Sequence, residues 1–169
     1  MPFRKKPKQE KDPAEQSRNL RETALSVTAA DLKLAPIEAR PHVWGVLMEM
    51  GYPDAVVTLA VFADGSASLY ISTGGGVIGA GEHKPVREEG DRLLSVVESH
   101  VADFVRADET PYPKRGRVRF YVRTFQTTLT ADADEKLLED RRHPLSPVYV
   151  AGHAVLTQMR LMSERRDQG

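Results

Sequence analysis

Residues 55–72 read Ala-Val-Val-Thr-Leu-Ala-Val-Phe-Ala-Asp-Gly-Ser-Ala-Ser-Leu-Tyr-Ile-Ser, and this stretch decides the fold class. Residues 55–62 are apolar and β-branched. Beyond Asp64-Gly65, the apolar Ala67, Leu69 and Ile71 alternate with Ser66, Ser68, Tyr70 and Ser72. Asp-Gly between two such runs predicts a β-hairpin closed by a type I′ turn, which needs positive φ at both central residues. The first strand is apolar on both faces, so it reads as central or covered by helices. The second alternates, so one of its faces is expected to be wet.

Upstream, Val43, Val46, Leu47 and Met50 fall at i, i+3, i+4 and i+7, the spacing of one helical face. Pro41 suits the first turn of such a helix and Gly51 its C-terminal end, and Trp44 flanks the stripe as a core anchor. Residues 19–35 form a weaker helical stretch carrying Leu20, Ala24, Leu25, Val27 and Leu32, expected to lie across the domain. Residues 1–18 are rich in Lys, Glu, Gln and Pro and are expected to be a disordered tail. Its run Arg4-Lys5-Lys6-Pro7-Lys8 reads as a nucleic-acid arm or as a solubilising tail, and Glu10, Asp12 and Glu15 favour the latter.

Downstream, a long helix is predicted from near Pro85, with Val86, Leu93, Leu94, Val97, Val101, Phe104 and Val105 on one face. Pro111 and Pro113 break the chain. Val118, Phe120 and Val122 then alternate with Arg117, Arg119, Tyr121 and Arg123, a half-buried strand. Phe125 to Thr130 continues that strand or turns into a neighbour. Asp134 to Asp140 reads as a short helix, with Asp132, Asp134 and Glu135 serving its positive N-terminus. Ser146 as N-cap and Pro147 at the first position open a last helix that buries Val148, Ala151, Val155, Met159 and Met162, with Gly152 allowing close packing.

The expected class is therefore α+β: a mostly antiparallel sheet with flanking helices in the order helix-strand-strand-helix-strand(s)-helix, in one domain over 19–165 followed by a frayed 166–169. This order, carried by Val43 to Phe104 and the Asp64-Gly65 turn, resembles roadblock/LC7 domains and their profilin-like relatives. The resemblance implies a non-catalytic, dimerising scaffold that regulates small GTPases or motors.

Composition removes several chemistries. With no cysteine in 169 residues, the chain has no disulfide framework, cysteine-ligated zinc, iron–sulfur cluster or cysteine nucleophile. Lys plus Arg and Asp plus Glu are both 24, which excludes a globally basic nucleic-acid binder but not a local patch. No window approaches the roughly 20 apolar residues of a membrane helix, and no apolar stretch follows the basic start, so a cytoplasmic location is expected.

Two surfaces are candidates for function. In the first, Gly74, Gly75, Gly76, Gly79 and Gly81 lie within residues 72–83, and Gly74, Gly76 and Gly79 formally satisfy G-x-G-x-x-G. Bare backbone N–H groups there could meet a phosphate. The preceding strand belongs to a hairpin rather than a βαβ unit, however, and Pro85 would break a helix that began among the glycines. Ala80 and Gly81 stand where a Walker A loop needs Lys and Ser or Thr. A strand edge where something packs against bare backbone is the favoured reading. Glu82 and His83 adjoin the loop and are the nearest thing to an acid–base pair. In the second, Arg117, Arg119, Tyr121 and Arg123 share one strand face, with Lys114 and Arg115 before it. Such a face can grip an anion, meet an acidic partner, or lie solvated with its long stems over apolar surface. His42, His83, His100, His143 and His153 show no metal-binding spacing, so neither metal nor cofactor is expected. The leading expectation is a non-enzymatic interaction domain with a protein partner or its own copies. The alternative is an anion-, nucleotide- or nucleic-acid-binding module built on residues 73–83 and 114–123.

Overall fold

A computed structural model describes residues 12–169; the tail expected over 1–18 lies outside it through residue 11, including its basic run. The described elements are α1 (Pro13–Ser26), β1 (Val43–Gly51), β2 (Val56–Phe62), β3 (Ala67–Ile71), β4 (Gly76–Val77), α2 (Lys84–Ser99), β5 (Val105–Arg106), β6 (Arg117–Thr124), β7 (Thr128–Asp134), α3 (Glu135–Glu139) and α4 (Ser146–Asp167). The fold is α+β. Seven antiparallel strands form one sheet in the order β4-β3-β2-β1-β6-β7-β5.

The sheet is covered on both faces. One face meets α2 and α4: Val46, Met48, Met50, Leu59, Val61, Val118, Phe120 and Val122 pack with Val86, Leu93, Leu94, Val97, Val148, Val155 and Met159. The other meets α1 and the segment after it: Trp44, Leu47, Ala60, Phe62, Tyr70 and Tyr121 pack with Leu20, Ala24, Leu25, Leu32 and Leu34. This second layer overturns the helix expected over 43–50. Residues 43–51 form the central strand β1, buried along its whole length. When both faces of a strand are apolar the period of 2 is erased, and a chance i, i+3, i+4, i+7 subset remains. A bulge between Val43 and Gly45 further breaks the alternation. The stretch that carries the roadblock/LC7 resemblance thus begins with a strand.

Other boundaries moved. Helix α1 starts at Pro13, inside the stretch expected to be tail, and ends at Ser26 rather than near residue 35. Helix α2 stops at Ser99; Val101 lies in a short 3-10 turn, and Val105 is 67% exposed on β5. Helix α4 runs through Asp167, past the expected end of the domain. The strand β6, a short helix after Asp134 and a final helix opened by Ser146-Pro147 form as expected. Ser146, however, is the first residue of α4 rather than its cap, which falls on Leu145 with no side-chain hydrogen bond. Strand β6 is buried on both faces from Phe120 to Arg123 instead of half-buried. Asp134 accepts from the Leu137 N–H and caps α3, whereas Asp132 pairs with arginines instead. Gly152 sits where a Cβ would come within 2.6 Å of the Met48 thioether, so the close packing it allows is helix on sheet.

The hairpin forms where expected, with a different turn. Gly65 N–H donates to the Phe62 carbonyl at 3.1 Å, and Gly65, at φ 92°, is the only residue of the turn with positive φ. This is a type I turn followed by a left-handed glycine, not type I′. The Asp64 carboxylate accepts from the Ser66 N–H at 2.9 Å and from its hydroxyl at 2.6 Å, which supplies the second tie.

The glycine loop folds back on that turn. A Cβ at Gly81 would lie 1.9 Å from the Gly65 carbonyl oxygen, while nothing stands within 4 Å of one at Gly79. Gly79 has φ 73°, so only its backbone conformation resists a side chain. Gly81→Ala is therefore expected to lower the unfolding free energy by about 2 kcal/mol or more, and Gly79→Ala by about 1 kcal/mol. Urea unfolding of the two variants checks this; equal losses would show that backbone contact with the turn does not hold the loop.

Candidate functional site

The two sequence candidates border no common cavity. Strands β3, β2 and β1 separate β4 from β6, a distance of roughly 19 Å at the usual strand spacing. They are joined instead by α1, which runs across the sheet between them. At one end, Pro13 packs on Gly74, where a Cβ would come within 2.6 Å of the proline Cβ. At the other, Arg123 donates from Nη1 to the Ala24 carbonyl at 2.9 Å and from Nη2 to the Val27 carbonyl at 2.8 Å. Those are carbonyls of the last turn of α1, which have no partner within the helix and favour a cation.

The arginine face is accordingly not an exposed surface. Arg123 is buried and lies over the Trp44 ring, 4.7 Å from its centroid. Burial lowers the pKa of its guanidinium from the ordinary value. Tyr121 has no exposed surface, and its hydroxyl donates to the Pro111 carbonyl at 2.6 Å. Burial, then the nearby Glu49 charge, push that phenol up to about 12, so it remains a donor. Arg117 and Arg119 share the Asp132 carboxylate of β7. Three arginines read as a free basic face are thus engaged with a helix terminus and a carboxylate.

The centre of the face is a pair that periodicity did not reveal. Glu49 of β1 has 0% exposure, and the Arg21 Nε of α1 donates to both of its oxygens, at 2.9 and 3.1 Å. Arg21 also donates to the Thr110 carbonyl at 2.8 Å and stacks 4.0 Å from the Tyr112 ring centroid. Burial raises the Glu49 carboxyl to about 7, against the opposing pull of the Arg21 charge, hydrogen bonds from Arg21 and Thr58, and the weaker field of Arg119. The available signal was Glu49 as the one ionisable residue in the apolar run 43–50. A charge there needs a partner from another element, and sequence does not say which.

The remaining candidates are dispersed. Gly76 pairs with Tyr70 at the sheet edge, and a Cβ on it would meet the Leu69 carbonyl at 2.0 Å. Gly75 and Gly79 face open space. Arg87 donates to the Gly81 carbonyl at 3.0 Å and fixes the loop to α2. At Gly74, Gly76 and Gly81 what packs against the bare backbone is the protein itself. Glu82 is exposed, and His83, also exposed, lines a cleft of about 240 Å³ with Pro85, Val86, Gln158, Met162, Arg165 and Arg166. Among the described residues no group of three His, Asp or Glu side chains is placed to hold a metal ion, and no helix is long and apolar enough to cross a membrane.

Comparison with protein-family models, with curated proteins and with solved structures yields no match.

Removing one partner of a buried ion pair leaves a desolvated charge, while replacing both does not. Arg21→Met is expected to cost about 3 kcal/mol at pH 8, and less at pH 5, where Glu49 takes up a proton; Arg21→Met with Glu49→Gln should recover most of the loss. For Glu49 itself, the folded pKa of about 7 lies above the ordinary carboxylate value of 4.5. Its contribution is therefore fully present below about pH 4.5 and is lost as pH rises through about 7. Between pH 5 and 8, the parent should lose stability relative to Glu49→Gln, by on the order of 3 kcal/mol. Urea titrations across that range measure the difference; parallel profiles would show that Glu49 is ionised throughout.

Proposed function

We propose that this chain works as a non-enzymatic interaction domain that binds another polypeptide, its own copies included. One observation carries the reading: large apolar side chains stand in solvent at the end of the protein formed by α3 and the start of α4. Leu137 is 37% exposed and Val150 43%. Val150 lines a surface cavity of about 390 Å³ with Pro144, Pro147, Arg141, His143 and Ser146. Tyr52, 44% exposed, lies near α3, where the charges of Glu135 and Glu139 bear on its phenol. Apolar and aromatic surface edged by arginine is the composition of protein interfaces.

Arg141 supports the same reading. It is the left-handed residue, φ 57°, that ends α3, and its N–H and that of Arg142 donate to the Leu138 and Leu137 carbonyls. Glycine is the favoured residue in that position, so arginine here costs about 1 kcal/mol for a side chain that lines the cavity. A dimerising scaffold of the kind the roadblock/LC7 likeness implies falls within this function, in a cytoplasmic setting. With its arginines engaged internally, the strand face offers little to a polyanion.

Val150→Asp places a charge on this surface at a site whose exposure lets the fold accept it. Sedimentation of the parent at increasing concentration should show a reversible oligomer, and the variant should remain monomeric with an unchanged melting transition. A parent that stays monomeric while Val150→Asp behaves identically in every association assay would overturn self-association through this surface.

A further inference from the structure

The sheet face under α1 holds groups that α1 leaves unanswered. Trp44 is 2% exposed, and among the described residues neither its indole Nε1 nor the buried Nε of Arg119 has a hydrogen-bond acceptor. Both are donors, and a buried donor without a partner costs its full desolvation. The grip of α1 is also largely polar. Its buried side chains are Ser17, Arg21 and Ala24, with Leu20 and Leu25 partly covered against the aromatic cluster. Beneath it lies an aromatic surface of Trp44, Phe62, Tyr70 and Tyr121, with Trp44 and Phe62 stacked at 5.8 Å. A helix held by few apolar contacts belongs to the part of a structure that opens first.

We propose that this face is the docking groove for an amphipathic helix of a partner protein, which takes the place of α1. This rests on the reading of the chain as an interaction domain and names the partner's chemistry. The groove sets three requirements. Glu49 demands a cationic side chain directly above it. Arg123 demands the carbonyl end of a helix, about one turn beyond that cation, since Arg21 and the Ala24 carbonyl hold those places now. Trp44 and Arg119 demand side-chain acceptors, Asp, Glu, Asn or Gln, which α1 does not present to them. A helix with a basic residue near its C-terminus and two acidic or amide residues on the same face, one over Arg119 beside Glu49 and one over Trp44 five residues along β1, satisfies all three. The segment from Val27 to His42 is anchored at Arg40, which is buried and paired with Asp91, and would serve as the tether once Leu32 and Leu34 leave the aromatic cluster with α1. Extended, it spans up to about 50 Å, ample for α1 to leave the sheet while it stays attached.

Trp44 is the sole tryptophan and lies in the groove, so its emission reports on the cover. Hydrogen exchange on the unmodified full chain comes first. Amides of α1 should be protected at least about a hundredfold less than those of β1 and β6. A synthetic peptide of residues 12–28 then serves as the helix probe, titrated into the full chain carrying Arg21→Ala. It should bind about tenfold tighter than the same peptide with Arg21→Ala and shift Trp44 emission to the blue. A third peptide, with Asp or Gln placed opposite Trp44, should bind tighter still. Protection of α1 equal to that of β1 overturns the proposal, and so do equal affinities of the peptides. A doubling in mass of the Arg21→Ala chain without peptide, with α1 exchanged between copies, also overturns it in favour of a swapped dimer. If Val150→Asp abolishes association while α1 proves fixed, the interaction reading survives and this groove does not.

Discussion

The Glu49 carboxylate has no contact with solvent, and the ion pair it forms with Arg21 is the constraint on which the second layer of the protein depends. A carboxylate in the middle of a central strand is tolerated only if a cation and hydrogen-bond donors are delivered to it. Nothing on β1 itself can do so, because its other residues are apolar and buried. The cation arrives on α1, so α1 must lie across the sheet at this point, and Thr58 of the neighbouring strand adds a hydrogen bond. Burial still outweighs the attraction, which leaves the carboxyl near 7 and ties the cover of the sheet to the proton concentration.

Once α1 is placed, the roles of the two conspicuous sequence features follow. The glycine run lies where the start of α1 and the hairpin turn both approach backbone, and side chains there would collide with Pro13, with the Leu69 carbonyl and with the Gly65 carbonyl. The arginine face lies where the end of α1 exposes carbonyls, and Arg123 takes two of them. A motif suggestive of a phosphate loop and a face suggestive of an anion grip are here the two footings of one helix. The Arg123 guanidinium, which could have met a ligand anion, is used on the helix's own carbonyl dipoles.

The two faces of the sheet are held by different forces. Against α2 and α4 the contact is apolar almost throughout, from Val46, Met48 and Phe120 to Leu93, Val155 and Met159. Against α1 it is aromatic and charged, with two donors left without acceptors among the described residues. Dense apolar packing fixes an element firmly, whereas polar pairing allows replacement by any group of the same charge and shape. The face that looks most finished in charge is therefore the one best suited to exchange.

Local chemistry was readable wherever a residue acts on its near neighbours. Asp64-Gly65 specified the hairpin because a left-handed position favours glycine and an Asp carboxylate ties its own turn. Asp134 announced the start of α3, Ser146-Pro147 that of α4, and the alternation from Arg117 to Arg123 specified β6 and its two faces. Tertiary structure alone decided that residues 43–51 are a strand, because cover on both sides removes the alternation that marks one. The helix across the domain was legible from Leu20, Ala24 and Leu25, but tertiary structure alone decided that it runs from Pro13 to Ser26, since residues 13–18 have too few apolar side chains to declare a buried face. And it decided what the glycines, the arginines and Glu49 are for: their partners stand far away in sequence, from Arg21 to Glu49 and from Ala24 to Arg123, and spacing along a chain carries no record of pairing across a sheet.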